Sequence, residues 1–383
     1  MKTDPEILKH LLEQGSLMPQ EAMLEIAPKK GKLFIGIPKE TIFQERRVAL
    51  VPEAVSILVL HGHRVKIESK SGEMANFTDR DYSEAGAEIC YDPKEIYECD
   101  IIFKVGPPSE EEIDMMKGNQ TLVSALQISI SAKAILQKLM QKKITAIAWD
   151  YIRDHKGVFP IVRAMSEIAG TTSILIAGEL LSCNKTGKGI MLGGITGVKP
   201  TEVVVIGAGT VGDFAVKAAL GLGASVKVFD SSMSRLRRIQ NNSATRIHTF
   251  VIQPKNLAEA IKNADVVIGA LRAPLGRTPC VVTEDMVESM SDGSVLIDVS
   301  IDQGGCFETS KVTTHKNPTF IKHGVIHYCV PNIASRVSRT ASSILSNIFA
   351  PILLEMGDRG GCSELIRKDS GFRSGVYIYK GVL

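Results

Sequence analysis

The chain has 383 residues, 44% of them hydrophobic and 23% charged, and a formal net charge of +3. This is the composition of an ordinary globular protein long enough for two domains. So small a charge, one tryptophan, no apolar run near the ~18 residues a bilayer span needs and no basic-then-apolar leader argue against a nucleic-acid partner, a membrane partner and secretion.

Taken in chain order, residues 4–26 carry an apolar helical stripe (Ile7, Leu8, Leu11, Leu12), and Pro28–Lys32 resembles a linker. Strands are expected at Leu33–Ile37, Arg64–Ile67, Ile101–Val105, Thr121–Ser124 and Thr145–Trp149. Helices are expected between them at Glu53–His61, Asp79–Ala87 and Ser131–Gln141. A long helical pattern follows at Met165–Cys183. Beyond it, Val203–Ile206 runs as a strand into a glycine-rich turn, a helix at Asp213–Leu222 and a strand at Ser225–Phe229. The rhythm continues with a helix near Leu257–Asn263, a strand at Val266–Ala270, a helix near Glu284–Met290 and a strand at Ser294–Val299. A last strand is expected within His323–Val330, then a second long helix at Ser338–Met356. The tail, Gly371–Lys380, is apolar and strand-like, with no functional account.

Strands alternating with helices imply mostly parallel sheets with right-handed crossovers. The expected fold is therefore α/β: two Rossmann-like domains joined by the two long helices. Residues 33–163 with 340–383 form the first, 164–339 the second, and 1–32 an extension. A cleft between them would hold cofactor and substrate.

The most specific motif is Gly207-Ala-Gly-Thr-Val-Gly212, which follows an apolar strand, opens a helix and precedes Asp230 at the end of the next strand. This is the dinucleotide-binding fingerprint. Gly207 permits the tight turn, Gly209 lets backbone approach a pyrophosphate, and Gly212 lets the helix pack on the strand. Thr210 and Val211 begin the helix whose free amides face phosphate. Asp230 would accept from an adenosine ribose and repel a 2′-phosphate, which favours NAD as the cofactor. Arg235, Arg237 and Arg238 lie just beyond and would soften that choice or form a solvated helix face. Seven cysteines with no C-x-x-C pair read as reduced, buried thiols of a cytoplasmic protein, and eight histidines without ligand spacing give no reason to expect a metal.

Several further segments, in order, carry a family resemblance. They are Ile35–Glu40, Arg47–Leu50, Met165–Gly170, Met191–Gly194, the glycine turn, Ile301–Cys306 and His327–Asn332. Across residues 33 to 357 the chain resembles alanine dehydrogenase and the related dinucleotide-binding domain of proton-translocating transhydrogenase. The short stretch from Asp230 to Ala264 is similar to the former. The resemblance implies hydride transfer from Cα of a small amino acid to NAD, then hydrolysis of the imine to a 2-oxo acid such as pyruvate and ammonia. It also implies a homo-oligomer, often a hexamer. It makes Arg47 the carboxylate anchor, for which a planar guanidinium is suited, and Asp302 the catalytic acid. Ser166, Asn332 and Arg235 match cofactor-side positions, and Leu271, Val330 and Ile333 match the nicotinamide pocket. Ser166 would also serve as the N-cap of the long helix.

The chain departs from the family at chemical positions. Lys104-Val-Gly-Pro-Pro108 carries Gly106 where the family has a substrate lysine, and Leu126-Gln-Ile128 carries Gln127 where it has a histidine. Glutamine cannot exchange a proton near neutral pH. Lys104, two residues before Gly106 and on the same strand face by period two, is the candidate to fill the gap. Gln127 remains a hydrogen-bonding candidate. Thr171 replaces a family arginine, and Asp150 and Tyr151 are further polar candidates for the pocket. Three readings follow: an NAD-dependent amino-acid dehydrogenase, an NAD-binding sensor without that chemistry, and a transhydrogenase-type subunit needing a membrane partner.

Overall fold

The computed structural model describes residues 31–42, 44–126, 133–183, 186–243, 245–273 and 276–383. The expected helix at 4–26, most of the linker and Gln127 lie outside those residues. The first sheet is built from β1 (Phe34–Ile37), β2 (Arg64–Glu68), β3 (Glu88–Cys90), β4 (Ile101–Phe103), β5 (Thr121–Ser124), β6 (Thr145–Ala148) and β14 (Val376–Ile378). The second is built from β7 (Glu202–Ile206), β8 (Ser225–Asp230), β9 (His248–Val251), β10 (Val266–Gly269), β11 (Val295–Asp298), β12 (Thr319–Lys322) and β13 (Val325–Tyr328).

The strand orders are β14-β6-β5-β4-β1-β2-β3 and β12-β13-β11-β10-β7-β8-β9. Only the β14–β6 and β12–β13 pairs are antiparallel. Helices cover both faces of such sheets, so the central strands are apolar throughout; Val203, Val204, Val205 and Ile206 are all fully buried. Each sheet reverses its winding once, between β4 and β1 in the first and between β10 and β7 in the second. Open α/β sheets bind ligands outside the carboxyl ends of the strands at such points.

Several elements differ from expectation. The first long helix is Pro160–Ser182 and starts five residues early. Proline suits the first helical position because it lacks an N–H that would go unpaired there. Ser166 is therefore well inside the helix, donating from Oγ to the Val162 carbonyl at 2.7 Å, and does not cap it. The strand expected within 323–330 is the second arm of a hairpin, turned by His323 and Gly324, both at positive φ. β3 and β9 were not legible because both are short edge strands without alternation, and β9 is largely exposed. The tail contributes β14. Cys183 and Cys280 are exposed, so the expectation of buried thiols holds only for some of the seven, none of which is in a disulfide.

The second long helix, Ser338–Asp358, returns the chain to the first sheet. Its Ser342 and Ser346 hydroxyls accept from the Val48 and Val51 amides at 3.0 and 2.8 Å, while Leu345, Phe349 and Leu353 enter the first core. Residues 333–358 are long and apolar enough to span a bilayer by length and composition. That corrects the expectation that no segment reaches this limit; the apolar surface here packs against the first sheet.

Candidate active site

At the β7–β10 switch point the backbone is shaped by glycines. Gly207 has φ +114°, and a methyl there would lie 2.3 Å from the Ala270 carbonyl oxygen. A methyl on Gly212 would lie 1.8 Å from the Gly207 carbonyl oxygen, so the helix Thr210–Gly221 sits directly on the loop. Gly209 is different: no atom of the described residues lies within 4 Å of the position its Cβ would take. No side chain caps the helix at Gly209, so the amides of Thr210 and Val211 face open space, as a phosphate requires.

Asp230 is only 1% exposed. Its carboxylate accepts from the Ala208 amide at 2.6 Å and the Ser232 amide at 2.7 Å, and Arg235 Nη1 lies 3.8 Å away. Arg238 donates to the Ala208 carbonyl at 2.8 Å. Asp230 thus holds the glycine loop to the end of β8 while a carboxylate of about four acceptor sites keeps capacity for a ribose. Val330 and Ile333 are core residues of this half, and the Leu271 carbonyl accepts from Ser300 Oγ at 2.7 Å. Asn332 is at positive φ (37°), where asparagine is tolerated. It faces the other half: Nδ2 donates to Glu45 at 3.4 Å, and Oδ1 meets His315 Nε2 at 3.2 Å.

Asp302 lies on the turn Ile301–Gln303 after β11. Asp298 builds that turn by accepting from the Ser300 and Cys306 amides and from Ser310 Oγ at 2.6 Å. Gly305, at φ +75°, has no room for a methyl beside Asp298. Asp302 can be reached by solvent yet has protein on most sides, the setting of a cleft wall. Burial raises its carboxyl and Arg272 opposes the shift.

The first sheet's switch point carries charge instead of glycine. Glu45 grips Arg47 with two oxygens, at 2.7 Å to Nε and 2.6 Å to Nη2, and Arg47 Nη1 is left with the Met165 sulfur at 3.2 Å. Burial pushes the Glu45 carboxyl up, but the Arg47 guanidinium outweighs it and holds Glu45 at about 2. Arg47 is buried.

Lys104 is 0% exposed. Its ammonium lies 2.6 Å from Glu112 and 3.6 Å from Glu40. Burial works against its charge, and the two carboxylates restore it. The expected swing across Gly106 is not seen. The ammonium is held by the two carboxylates instead. The space beside Gly106 belongs to Glu40, whose oxygens accept from the Val105 amide at 2.6 Å and the Gly106 amide at 3.2 Å. Glu112 was missed, although Ser109 and Glu112 form a capping box legible in the sequence.

Two more charged groups meet at this edge. Asp150, just after β6, accepts from the Leu126 amide at 3.0 Å. Burial raises its carboxyl to about 6, and Arg272, after β10 of the other sheet, pulls it back. Arg272 escaped the sequence reading because no motif contains it. Among the described residues, one further group could hold a metal, Glu88, Cys90 and Glu95; the Lys66 ammonium already lies 3.3 and 3.5 Å from its two carboxylates.

A glycine loop at one switch point, with a matching edge of charged side chains on a second sheet, defines a two-sheet dinucleotide-binding protein. The particular family follows from comparison: the N-terminal domain of "Alanine dehydrogenase/PNT" matches residues 36–169, its C-terminal domain matches 173–383, and the chain belongs to this family. It is 39% identical over 348 residues to alanine dehydrogenase 2 of Staphylococcus aureus (strain USA300), covering 91% of this chain and 93% of that one. A solved L-alanine dehydrogenase is similar with a TM-score of 0.86 and 36% identity, over 91% of this chain and 96% of that one. The transhydrogenase from Sinorhizobium meliloti has a TM-score of 0.77 at 22% identity, over 91% and 98%. That last likeness is one of fold, so the transhydrogenase-type reading is not favoured.

Proposed function

We propose that this chain is an NAD-dependent amino-acid dehydrogenase that converts L-alanine, or a related small amino acid, to pyruvate or the matching 2-oxo acid and ammonia. The observation that carries this is 39% identity to an alanine dehydrogenase over nine-tenths of the chain. NAD, when bound, supplies the hydride acceptor. The residues present fit it: the open space over Gly209 and the uncapped helix suit a pyrophosphate. Thr210 and Val211 amides hold the phosphates, Asp230 and Arg235 the ribose. Ser166, Leu271, Val330, Asn332 and Ile333 surround the nicotinamide end.

Arg47 anchors the substrate carboxylate. Glu45 fixes its plane, and among the described residues Nη1 donates to a thioether, a weak acceptor that a carboxylate displaces readily. Asp302 orients the amine and the attacking water. Lys104 is a positioning residue: its one positive charge holds both Glu40 and Glu112, and Glu40 in turn fixes the backbone at Val105 and Gly106. Gln127 contributes hydrogen bonds. Residues 33–163 with 340–383 form the substrate domain, 164–339 the NAD domain and 1–32 an extension. The protein acts as a cytoplasmic homo-oligomer, with a hexamer the form to test by sedimentation.

A second reading, an NAD-binding protein without this chemistry, is favoured by Gly106 and by the engagement of Lys104 with two carboxylates. Purified protein with NAD and L-alanine, then with NADH, pyruvate and ammonium, separates the two by nicotinamide absorbance. Turnover supports the dehydrogenase. Tight NAD binding by calorimetry with no turnover in either direction selects the second reading.

A further inference from the structure

The charges at the first sheet's edge are mostly spoken for. Arg47 is paired with Glu45, and Lys104 with Glu112 and Glu40. Among the described residues, Asp150 and Asp302 are in no ion pair. They come from opposite sheets, one after β6 and one after β11, and both act on the same exposed guanidinium, Arg272. Arg272 stands three residues beyond β10, at the second sheet's switch point. The charge of Arg272 therefore reaches both carboxyls, which places Asp150 and Asp302 near one group of the second sheet.

The turn that carries Asp150 is firmly held. Trp149 Nε1 donates to the Val105 carbonyl at 3.0 Å, and its ring packs edge-on against Phe349. Behind Asp150, Ser374 Oγ donates to the Tyr151 carbonyl at 2.8 Å. The Leu126 amide fixes one carboxylate oxygen from the end of β5. The other titratable group facing it is the Tyr377 phenol of β14. A half-buried carboxyl on a rigid turn, at the carboxyl edge of a parallel sheet, is placed for proton transfer in a cleft. Gln127, the residue after Leu126, cannot serve in that way.

We propose that Asp150 exchanges protons with the water and the amine nitrogen during deamination, acting opposite Asp302. This rests on the dehydrogenase reading above. Once hydride has left Cα, the substrate is an iminium. As water adds to its carbon, the Asp150 carboxylate takes a water proton and a neutral carbinolamine forms. Asp150 then returns that proton to nitrogen. The C–N bond breaks, ammonia leaves with the bonding pair, and the carboxylate takes the hydroxyl proton as the carbonyl forms. That proton passes to ammonia to give ammonium, so charge and atoms balance. The carboxylate is the working form, and burial sets its titration at about 6, so deamination should lose rate as pH falls through that value.

Asp150→Asn tests this because the amide oxygen can still accept from Leu126. The expected result is a kcat for alanine lower by about 10²–10⁴-fold, with the acid limb near pH 6 gone. NAD affinity by calorimetry stays unchanged, and Asp150→Glu recovers part of kcat with a limb restored. A kcat for Asp150→Asn within about threefold of wild type, with the limb intact, overturns the role and leaves the proposed reaction standing. Absence of wild-type turnover at every pH overturns the reaction and this role together.

Discussion

At the β7–β10 edge the groups that build the site are backbone amides, and at the β1–β4 edge they are buried, charged side chains. Both edges are switch points of parallel sheets, so topology offers each the same opportunity. In the first case the site is made by leaving side chains out: Gly207, Gly209 and Gly212 clear the space. In the second it is made by pairing charges in advance, Arg47 with Glu45 and Lys104 with Glu112. A backbone site is ready for its ligand at little cost. A paired-charge site must exchange one partner for another when substrate arrives, and its strength depends on how tightly the resident pair holds.

The largest test strikes the backbone site. Gly212→Ala puts a methyl 1.8 Å from the Gly207 carbonyl, a backbone atom that cannot move aside without opening the loop. The expected loss is beyond about 5 kcal/mol, the exceptional end of single substitutions. Denaturant unfolding reads it, with loss of NAD binding alongside. A variant that unfolds as the wild type does would mean the helix is not seated on the loop as described.

The matching test on the charged edge is Lys104→Met, which leaves Glu40 and Glu112 buried without their cation. The expected cost is about 3–5 kcal/mol in unfolding free energy. Lys104→Met and Glu112→Gln together remove one charge of each sign, keep the original balance and should recover much of it. If the double variant is no better than the single, the pair is not what makes Lys104 necessary.

The difference between the edges also explains what could be read from the sequence. Glycine spacing encodes a backbone shape locally, so Gly207, Gly209, Gly212 and Asp230 were legible in one stretch. The partners at the charged edge are distant in sequence: Glu40 meets residues 104–106, and the charge of Arg272 acts on Asp150 from the other sheet. Only the fold brings them together. Lys104 was misjudged because the fold brings Glu40 and Glu112 to its ammonium. The N-cap role read for Ser166 failed because Pro160 starts its helix early.

A pH measurement probes the resident pair at Arg47. Glu45 titrates near 2 in the fold, below its unfolded value of about 4.5. A depressed carboxylate adds stability that is present above the unfolded value and lost as pH falls through the folded one. The contribution is on the order of 3 kcal/mol, since each unit is worth about 1.4. Glu45→Gln should therefore flatten the fall in stability between about pH 4.5 and 2, measured by urea unfolding. A parallel fall in variant and wild type would place the acid sensitivity elsewhere.

The smallest expected effect returns to the glycines and separates two reasons for having one. Gly212 is required by the fold, whereas Gly209 has open space where a Cβ would go and no positive φ. Gly209→Ala should leave unfolding nearly unchanged. The added methyl occupies the space through which a pyrophosphate approaches the helix amides, so NAD affinity should drop by roughly tenfold, about 1.4 kcal/mol. Calorimetry with NAD and a thermal melt on the same sample make the comparison. If affinity holds, the phosphates do not pass over Gly209, and the open space there is not the cofactor's. If the melt falls as well, the glycine is structural, and the contrast between a cleared edge and a paired edge loses its cleanest residue.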